Sequence, residues 1–333
     1  MLLAGDVGGT KTLLGLFSAA IGRPVLVKAE AFATLEAPGL GGIVSRFLGP
    51  LQPVSIEAAC FGVAGPVTGQ RATLTNVPWA VEAVDIAEAF SIPSVTLLND
   101  LHAMAYAVPV LSSDELLSLQ QGRALPGGNA ALIAAGTGLG EALLHWVDGR
   151  FVPSPTEGGH ADYGPRTPAE LGLLQQLTSL YGRAEWEDVV SGPGLVNIHR
   201  FTHPHGCSAC DPSIDPQHAP SIISRAALEH RCPQCGEALA MFVAAYGAEA
   251  GNLALHCLST AGVYVGGGIA PKILPALQTP AFLDAFRSKG PMTSLLEAMP
   301  VSVILNEEAG LLGAAVFANQ SAGHRKQEGR TPD

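Results

Sequence analysis

Charge is scarce in this chain of 333 residues. Only 14% of them are Asp, Glu, Lys or Arg, and 18 basic residues face 29 acidic ones, a formal net charge of −11. So few cations argue against nucleic acid or an anionic membrane surface as the main partner, because both are held chiefly by Lys and Arg. Also missing is any apolar run long enough to cross a bilayer without Gly, Pro or charge. Asp6 interrupts the apolar start at once, so no signal segment is expected. The six cysteines sit in a chain too large to need disulfide staples, which makes a reducing cytoplasm the expected setting. The opening lacks both familiar phosphate loops, Gly-x-x-x-x-Gly-Lys-Ser/Thr and a Gly-x-Gly-x-x-Gly between strand and helix. A phosphate ligand must then be held by backbone amides, a metal ion and a few local charges.

What is abundant is apolar residues, 47%, and glycine, 39 residues, which together suit a large core with many tight turns. The organising stretch runs from Leu2 to Phe17, two apolar segments around Asp6-Val7-Gly8-Gly9-Thr10-Lys11, and reads as a β-hairpin. Gly8 and Gly9 are expected to supply positive φ and to let amides approach a ligand. Donors on Thr10 to Thr12 suit phosphate, and the Asp6 carboxylate suits the Mg²⁺ that travels with it. The theme returns at Ala130–Leu144, where strand, Gly136-Thr137-Gly138-Leu139-Gly140 and strand follow one another. Two such hairpins more than a hundred residues apart point to a nucleotide cleft shared by two related lobes.

Between and beyond the hairpins, strands and helices alternate, which indicates an α/β fold. A strand at Val95–Asn99 delivers Asn99 and Asp100 at its C-terminal end. Apolar spacing predicts helices over Gly41–Leu48, Trp79–Phe90, Leu101–Ala107, Ala169–Tyr181 and around Glu185–Val190, with Ser191–Gly194 breaking the chain. The longest helical pattern runs from about Glu237 to Leu258. A strand then enters Gly266-Gly267-Gly268, where a nucleoside could lie on bare backbone. Glu157-Gly158-Gly159-His160 forms a polar loop without hydrophobic period, the kind of segment that carries function. Val301–Leu305 is a last strand and Ala309–Ala318 a last helix, and the tail from Gln320 is polar and expected to be disordered.

Taken together these blocks resemble the bacterial glucokinase family, within the hexokinase and actin-like ATPase superfamily and related to the ROK sugar kinases. The resemblance covers nearly the whole chain and also includes Ser191-Gly192-Pro193-Gly194-Leu195-Val196-Asn197 and Glu308 to Gly313. It implies two ribonuclease-H-like α/β domains closing over a sugar: residues 1–110 with about 306–320, and 111–305, with 321–333 as a tail. It also implies ATP with Mg²⁺, a homodimer, and phosphoryl transfer to the 6-hydroxyl of glucose. By the same resemblance Asn99, Asp100, Glu157, His160 and Glu187 would form the sugar site. Gly8, Gly9 and Thr10 with Gly136, Thr137 and Gly138 would hold phosphates, and Gly267 and Gly268 would face adenosine. Lys11 departs from the commonest family pattern, which has Asn there. From chemistry alone, Asp100 at a strand end suits the base that accepts the sugar hydroxyl proton.

Two other classes share parts of this pattern: a ROK-type kinase of another hexose or amino sugar, and an actin-like ATPase acting without sugar. The second has no reason for the Glu157–His160 loop. A DNA-binding regulator would need a helix-turn-helix segment, and the chain starts directly at the phosphate hairpin. Finally, Cys207-Ser208-Ala209-Cys210 and Cys232-Pro233-Gln234-Cys235 are spaced as a structural Zn²⁺ site, with His203 and His205 just upstream. Packing at a helix start accounts equally for the second pair.

Overall fold

The computed structural model describes residues 1–74, 77–207 and 218–328, which fall into two compact units, 1–112 with 306–328 and 113–305. The first is built on β1 (Leu2–Val7), β2 (Lys11–Ser18), β3 (Val25–Ala33), α1 (Leu40–Leu48) and β4 (Ala58–Val63). A small antiparallel sheet follows, β5 (Val67–Thr68), β6 (Arg71–Thr73) and β7 (Ala80–Glu82), then α2 (Ala83–Phe90), β8 (Val95–Asn99) and α3 (Asp100–Ala107). The main sheet has the order β3-β2-β1-β4-β8, with β1, β4 and β8 parallel and the β1-β2-β3 meander antiparallel. Every residue of β4 is buried, as a strand covered on both faces must be. One face packs on α1 and α2 through Ile43, Phe47, Phe61 and Ile86. The other packs on the C-terminal helix, Ala309–Glu328, through Leu2, Ala58, Cys60, Leu311 and Ala315.

The second unit repeats the plan. It contains β9 (Leu116–Gln120), β10 (Ala130–Ala135), β11 (Leu139–Val147), β12 (Arg150–Thr156), α4 (Pro168–Tyr181), α5 (Gly192–Thr202) and α6 (Ala219–Leu228). After these come α7 (Pro233–Cys257), β13 (Gly262–Gly266), α8 (Leu274–Leu277), α9 (Pro280–Arg287), α10 (Thr293–Ala298) and β14 (Val301–Ile304). The order β12-β11-β10-β13-β14 has the same directions as β3-β2-β1-β4-β8, with β9 added at the edge. Helix α7 is long and apolar enough to cross a membrane by length and composition. It is instead the core of this unit: Phe242, Tyr246, Ala250 and Ala254 are among its many buried residues. Its Tyr246 hydroxyl accepts from the Ala135 amide at 3.1 Å and lies 3.2 Å from the Gly266 carbonyl, so one side chain ties the ends of β10 and β13.

Four local expectations are corrected. The helix expected over Trp79–Phe90 begins only at Ala83, after β7. Glu185–Val190 is a series of turns, and Ser191–Gly194 starts a helix rather than breaking the chain. There the Ser191 hydroxyl accepts from the Gly194 amide at 3.0 Å, and Pro193 sits in the first turn, where its missing N–H costs nothing. The segment from Gln320, expected to be disordered, continues the C-terminal helix as far as Glu328.

Glycine in α7 meets two opposite environments. A Cβ on Gly247 would lie 2.1 Å from the Phe282 carbonyl of α9, whereas one on Gly236 would meet nothing within 4 Å. Gly247→Ala is therefore expected to lower unfolding stability by about 1–3 kcal/mol, and Gly236→Ala to raise it by roughly 0.5–1 kcal/mol. Urea denaturation of both variants checks the opposite signs.

Candidate active site

In the first unit the register sets which residues meet at the carboxyl edge of the sheet. Val7 and Asn99 both pair with Val63, so the ends of β1, β4 and β8 form one row. Ligands of open α/β sheets bind at this edge. Asp6 stands one residue before the end of β1, and the β1–β2 turn closes through Gly8 N–H to the Lys11 carbonyl at 3.0 Å. Neither Gly8 nor Gly9 takes a positive φ, contrary to expectation. Gly8 is needed for closeness instead, since a Cβ there would press on the Lys11 carbonyl at 3.1 Å.

Asn99 caps α3: its Oδ1 accepts from the amides of Leu101 at 3.0 Å and His102 at 3.3 Å, while Nδ2 reaches the Gly65 carbonyl at 3.4 Å. Its neighbour Asp100 opens the helix, with Oδ1 on the Leu101 amide at 2.8 Å, so its carboxylate sits at the positive end of the helix dipole. Burial pushes the Asp6 carboxyl up to about 6, with the charge of Asp100 adding and that of Lys11 opposing. Gly310 packs directly on Asp6, where a Cβ would lie 2.9 Å from Oδ2.

In the second unit the turn after β10 is bonded to α5. Gly136 N–H donates to the Gly138 carbonyl at 2.8 Å, and Gly192 N–H donates to the Gly136 carbonyl at 2.8 Å. Glu187 reaches the same turn, its Oε2 accepting the Leu139 amide at 2.8 Å, and a Cβ on Gly138 would collide with that carboxylate. The Glu187 amide in turn donates to the Gly159 carbonyl at 2.8 Å. Glu187 and the Glu157–His160 loop are thus brought together, and His160, Glu185 and Glu187 each offer a ligand atom within 4.8 Å of the others.

Glu185 was missed in the sequence. It accepts or shares a proton with His160 Nδ1 at 2.8 Å and faces Arg183 at 3.6 Å. That hydrogen bond raises the His160 pKa, burial opposes, and the charges of Glu185, Glu187 and Glu157 add to the rise. Also missed was a buried acid pair behind the loop. Glu141 is pushed up to about 8 by burial, by the charge of Glu249 and by a hydrogen bond to it. Gly158 is the residue that leaves room for the Glu141 carboxylate.

Gly267, at φ +83°, presses on β10 with no room for a Cβ, while Gly268 has none of its space filled. A cavity of about 1570 Å³ lies in this unit, lined by Gly136, Thr137, Gly192, Pro193, Gly268 and Lys272 among others. Of the expected metal-site cysteines, Cys207, Cys232 and Cys235 come together, and Cys210 lies outside the described residues.

A sheet plan repeated in both units, with a glycine turn after β1 in one and after β10 in the other, is that of the actin-like ATPase fold, shared with solved glucokinase and ROK hexokinase structures. The family model described as Glucokinase matches residues 3–321. The glucokinase of Nostoc punctiforme is 39% identical, with 96% of this chain and 98% of that protein covered. That of Yersinia enterocolitica is 34% identical, with 97% of each covered. Among solved structures, glucokinase from an Antarctic psychrotroph is similar with a TM-score of 0.85 at 28% identity, covering 96% of this chain and 98% of that one. A ROK family glucokinase from Streptomyces griseus, in complex with glucose and AMPPNP, shares the fold with a TM-score of 0.61 at 23% identity, covering 96% and 99%. The chain belongs to the glucokinase family.

The raised Asp6 pKa has a thermodynamic sign. Between pH 3.8 and about 6 the folded chain keeps a proton that the unfolded chain releases, so stability falls as pH rises through that window. Asp6→Asn removes this cost and is expected to stabilise the protein at pH 8 by up to about 2–3 kcal/mol. The gain should vanish below pH 4, which denaturant unfolding at three pH values checks.

Proposed function

We propose that the protein transfers the γ-phosphoryl group of ATP to the 6-hydroxyl of glucose, giving glucose 6-phosphate and ADP. The observation that carries this is Asp100, held at a helix N-terminus on the carboxyl edge of its sheet, one residue after Asn99, which caps that helix. Phosphoryl transfer needs positioning, charge neutralisation and an acceptor for the hydroxyl proton. In this reading Asp100 Oδ takes that proton. Asn99, Glu157, His160 and Glu187 hydrogen-bond sugar hydroxyls, supported by the convergence of the last three at one end of β11 and β12. Glu185 orients His160 by fixing its Nδ1, which leaves Nε2 to face a hydroxyl.

The phosphates would lie on Gly8, Gly9 and Thr10 and on Gly136, Thr137 and Gly138. The last turn is joined to the N-terminus of α5, whose dipole favours anions. Gly267 and Gly268 would face adenosine, supported by the open space over Gly268 in the 1570 Å³ cavity. Mg²⁺ belongs to the proposal: Asp6, whose ionised form is penalised beside Asp100, fits the need for a cation there. When bound it would neutralise phosphate charge. A homodimer and a cytoplasmic setting also belong to it. The setting is supported by the low cysteine count, six in 333 residues.

A coupled ADP-release assay with and without glucose tests the reaction; sugar-independent turnover would favour an ATPase. Asp100→Asn is expected to lower kcat by roughly 10²–10⁴-fold while glucose still binds. Glu157→Gln should raise the KM for glucose far more than the KM for ATP, the loss being on the order of 1–3 kcal/mol. Glu157 is the cleaner probe, because Glu187 also holds the Leu139 amide of the phosphate turn.

A further inference from the structure

Away from the sugar loop, four side chains converge where the end of α5 meets the start of α7. His203 closes α5, Cys207 follows it, Cys232 caps α7 and Cys235 lies in its first turn. We propose that His203 Nε2 and the sulfurs of Cys207, Cys232 and Cys235 bind a structural Zn²⁺ ion, with His203 as the fourth ligand rather than Cys210.

The distances carry the assignment. Zn–S bonds of about 2.3 Å and a Zn–N bond of about 2.0–2.1 Å in a tetrahedron place sulfurs roughly 3.8 Å apart and nitrogen roughly 3.5 Å from sulfur. Cys207 Sγ lies 3.8 Å from both Cys232 Sγ and Cys235 Sγ, and His203 Nε2 lies 3.3 Å from Cys232 Sγ and 3.8 Å from Cys235 Sγ. The sulfurs are too far apart for the bonds of a disulfide, yet spaced as ligands of one ion.

The surroundings prepare the same donor set. His203 Nδ1 lies 2.9 Å from the His199 carbonyl and so carries the ring proton, leaving the Nε2 lone pair turned to the sulfurs. The Cys235 amide donates to Cys232 Sγ at 3.4 Å, which stabilises a thiolate at the mouth of a helix. His203, Cys232 and Cys235 are buried, so the two cysteine thiolates among them would be costly without a cation. Thiolate with imidazole selects zinc, and four protein ligands leave no open position for catalysis.

The ion would fasten the chain leaving α5 to the start of α7. His199, His203, Gly206 and Cys207 line the same cavity as Gly136, Gly192 and Gly268. Resting on the reading of that cavity as the nucleotide site, the ion then holds one wall of it in place.

The test begins with untagged protein and elemental analysis, expected to give one zinc per chain. Replacing zinc by cobalt should give the thiolate-to-metal absorption of a tetrahedral site. Cys207→Ser, Cys235→Ser and His203→Gln should each lose the metal, while Cys210→Ser keeps it. Circular dichroism of the half-exposed Cys207→Ser variant separates metal loss from unfolding. Metal-free protein with all thiols titratable, or a disulfide found by mass spectrometry, would overturn the site. Retention in His203→Gln with loss in Cys210→Ser would overturn the ligand set. Cys207→Ser should also raise the KM for ATP several-fold and leave that for glucose unchanged. Stoichiometric zinc with an unmoved KM for ATP would overturn the wall alone, and metal content is independent of the kinase reading.

Discussion

The first unit depends on keeping one carboxylate, Asp6, where water reaches it poorly. A charge in that position costs free energy by itself, and a second acid nearby, Asp100, raises the cost. The arrangement makes sense only if a cation or a proton completes it. Its packing is correspondingly strict, since Gly310 must lack a side chain for the C-terminal helix to begin beside Asp6. Residues from the two ends of the chain therefore define one electrostatic environment.

In the second unit the equivalent economy is achieved with hydrogen bonds. Glu187 spends one carboxylate oxygen on the Leu139 amide and its own amide on the Gly159 carbonyl, so the glycine turn and the Glu157–His160 loop cannot move independently. Behind the loop, burial first and the charge of Glu249 second push the Glu141 carboxyl up to about 8, so this acid pair favours a protonated Glu141. Gly138 and Gly158 have no space for a side chain because carboxylates occupy it.

Much of the fold was legible because its signals are local. The hairpins at Leu2–Phe17 and Ala130–Leu144 announce themselves by apolar strands around glycine turns, and both occur as β1–β2 and β10–β11. The α/β class followed from the alternation of elements. Failures came where a local signal had two meanings. Ala184, Trp186, Val189 and Val190 mimic a helical face, yet they are buried from a chain of turns anchored by Glu185 opposite Asp162. Ser191-Gly192-Pro193-Gly194 contains breakers, but the same residues start a helix when serine caps it. Positive φ was expected at Gly8 and Gly9; neither takes it, and at Gly8 the constraint is the nearby Lys11 carbonyl. Of the candidate site, the residue types near Glu157 could be read in order. The partnership of Glu185 with His160, the Glu141–Glu249 pair and the approach of His203 to Cys232 exist only in three dimensions.

The discontinuity of the first unit has a consequence for the order of events at the ribosome. Residues 113–305 form a continuous segment that can complete its core as soon as it has emerged, and domains generally fold as units during synthesis. The older part of the chain must wait. Until the helix from Ala309 is made, the face of β1 and β4 formed by Leu2, Ala4, Ala58 and Cys60 is covered only in part, by Ala103 and Tyr106 of α3. For most of its translation the nascent protein therefore carries a partly covered apolar sheet face, the kind of surface that chaperones recognise, and the helix from Ala309 completes its cover.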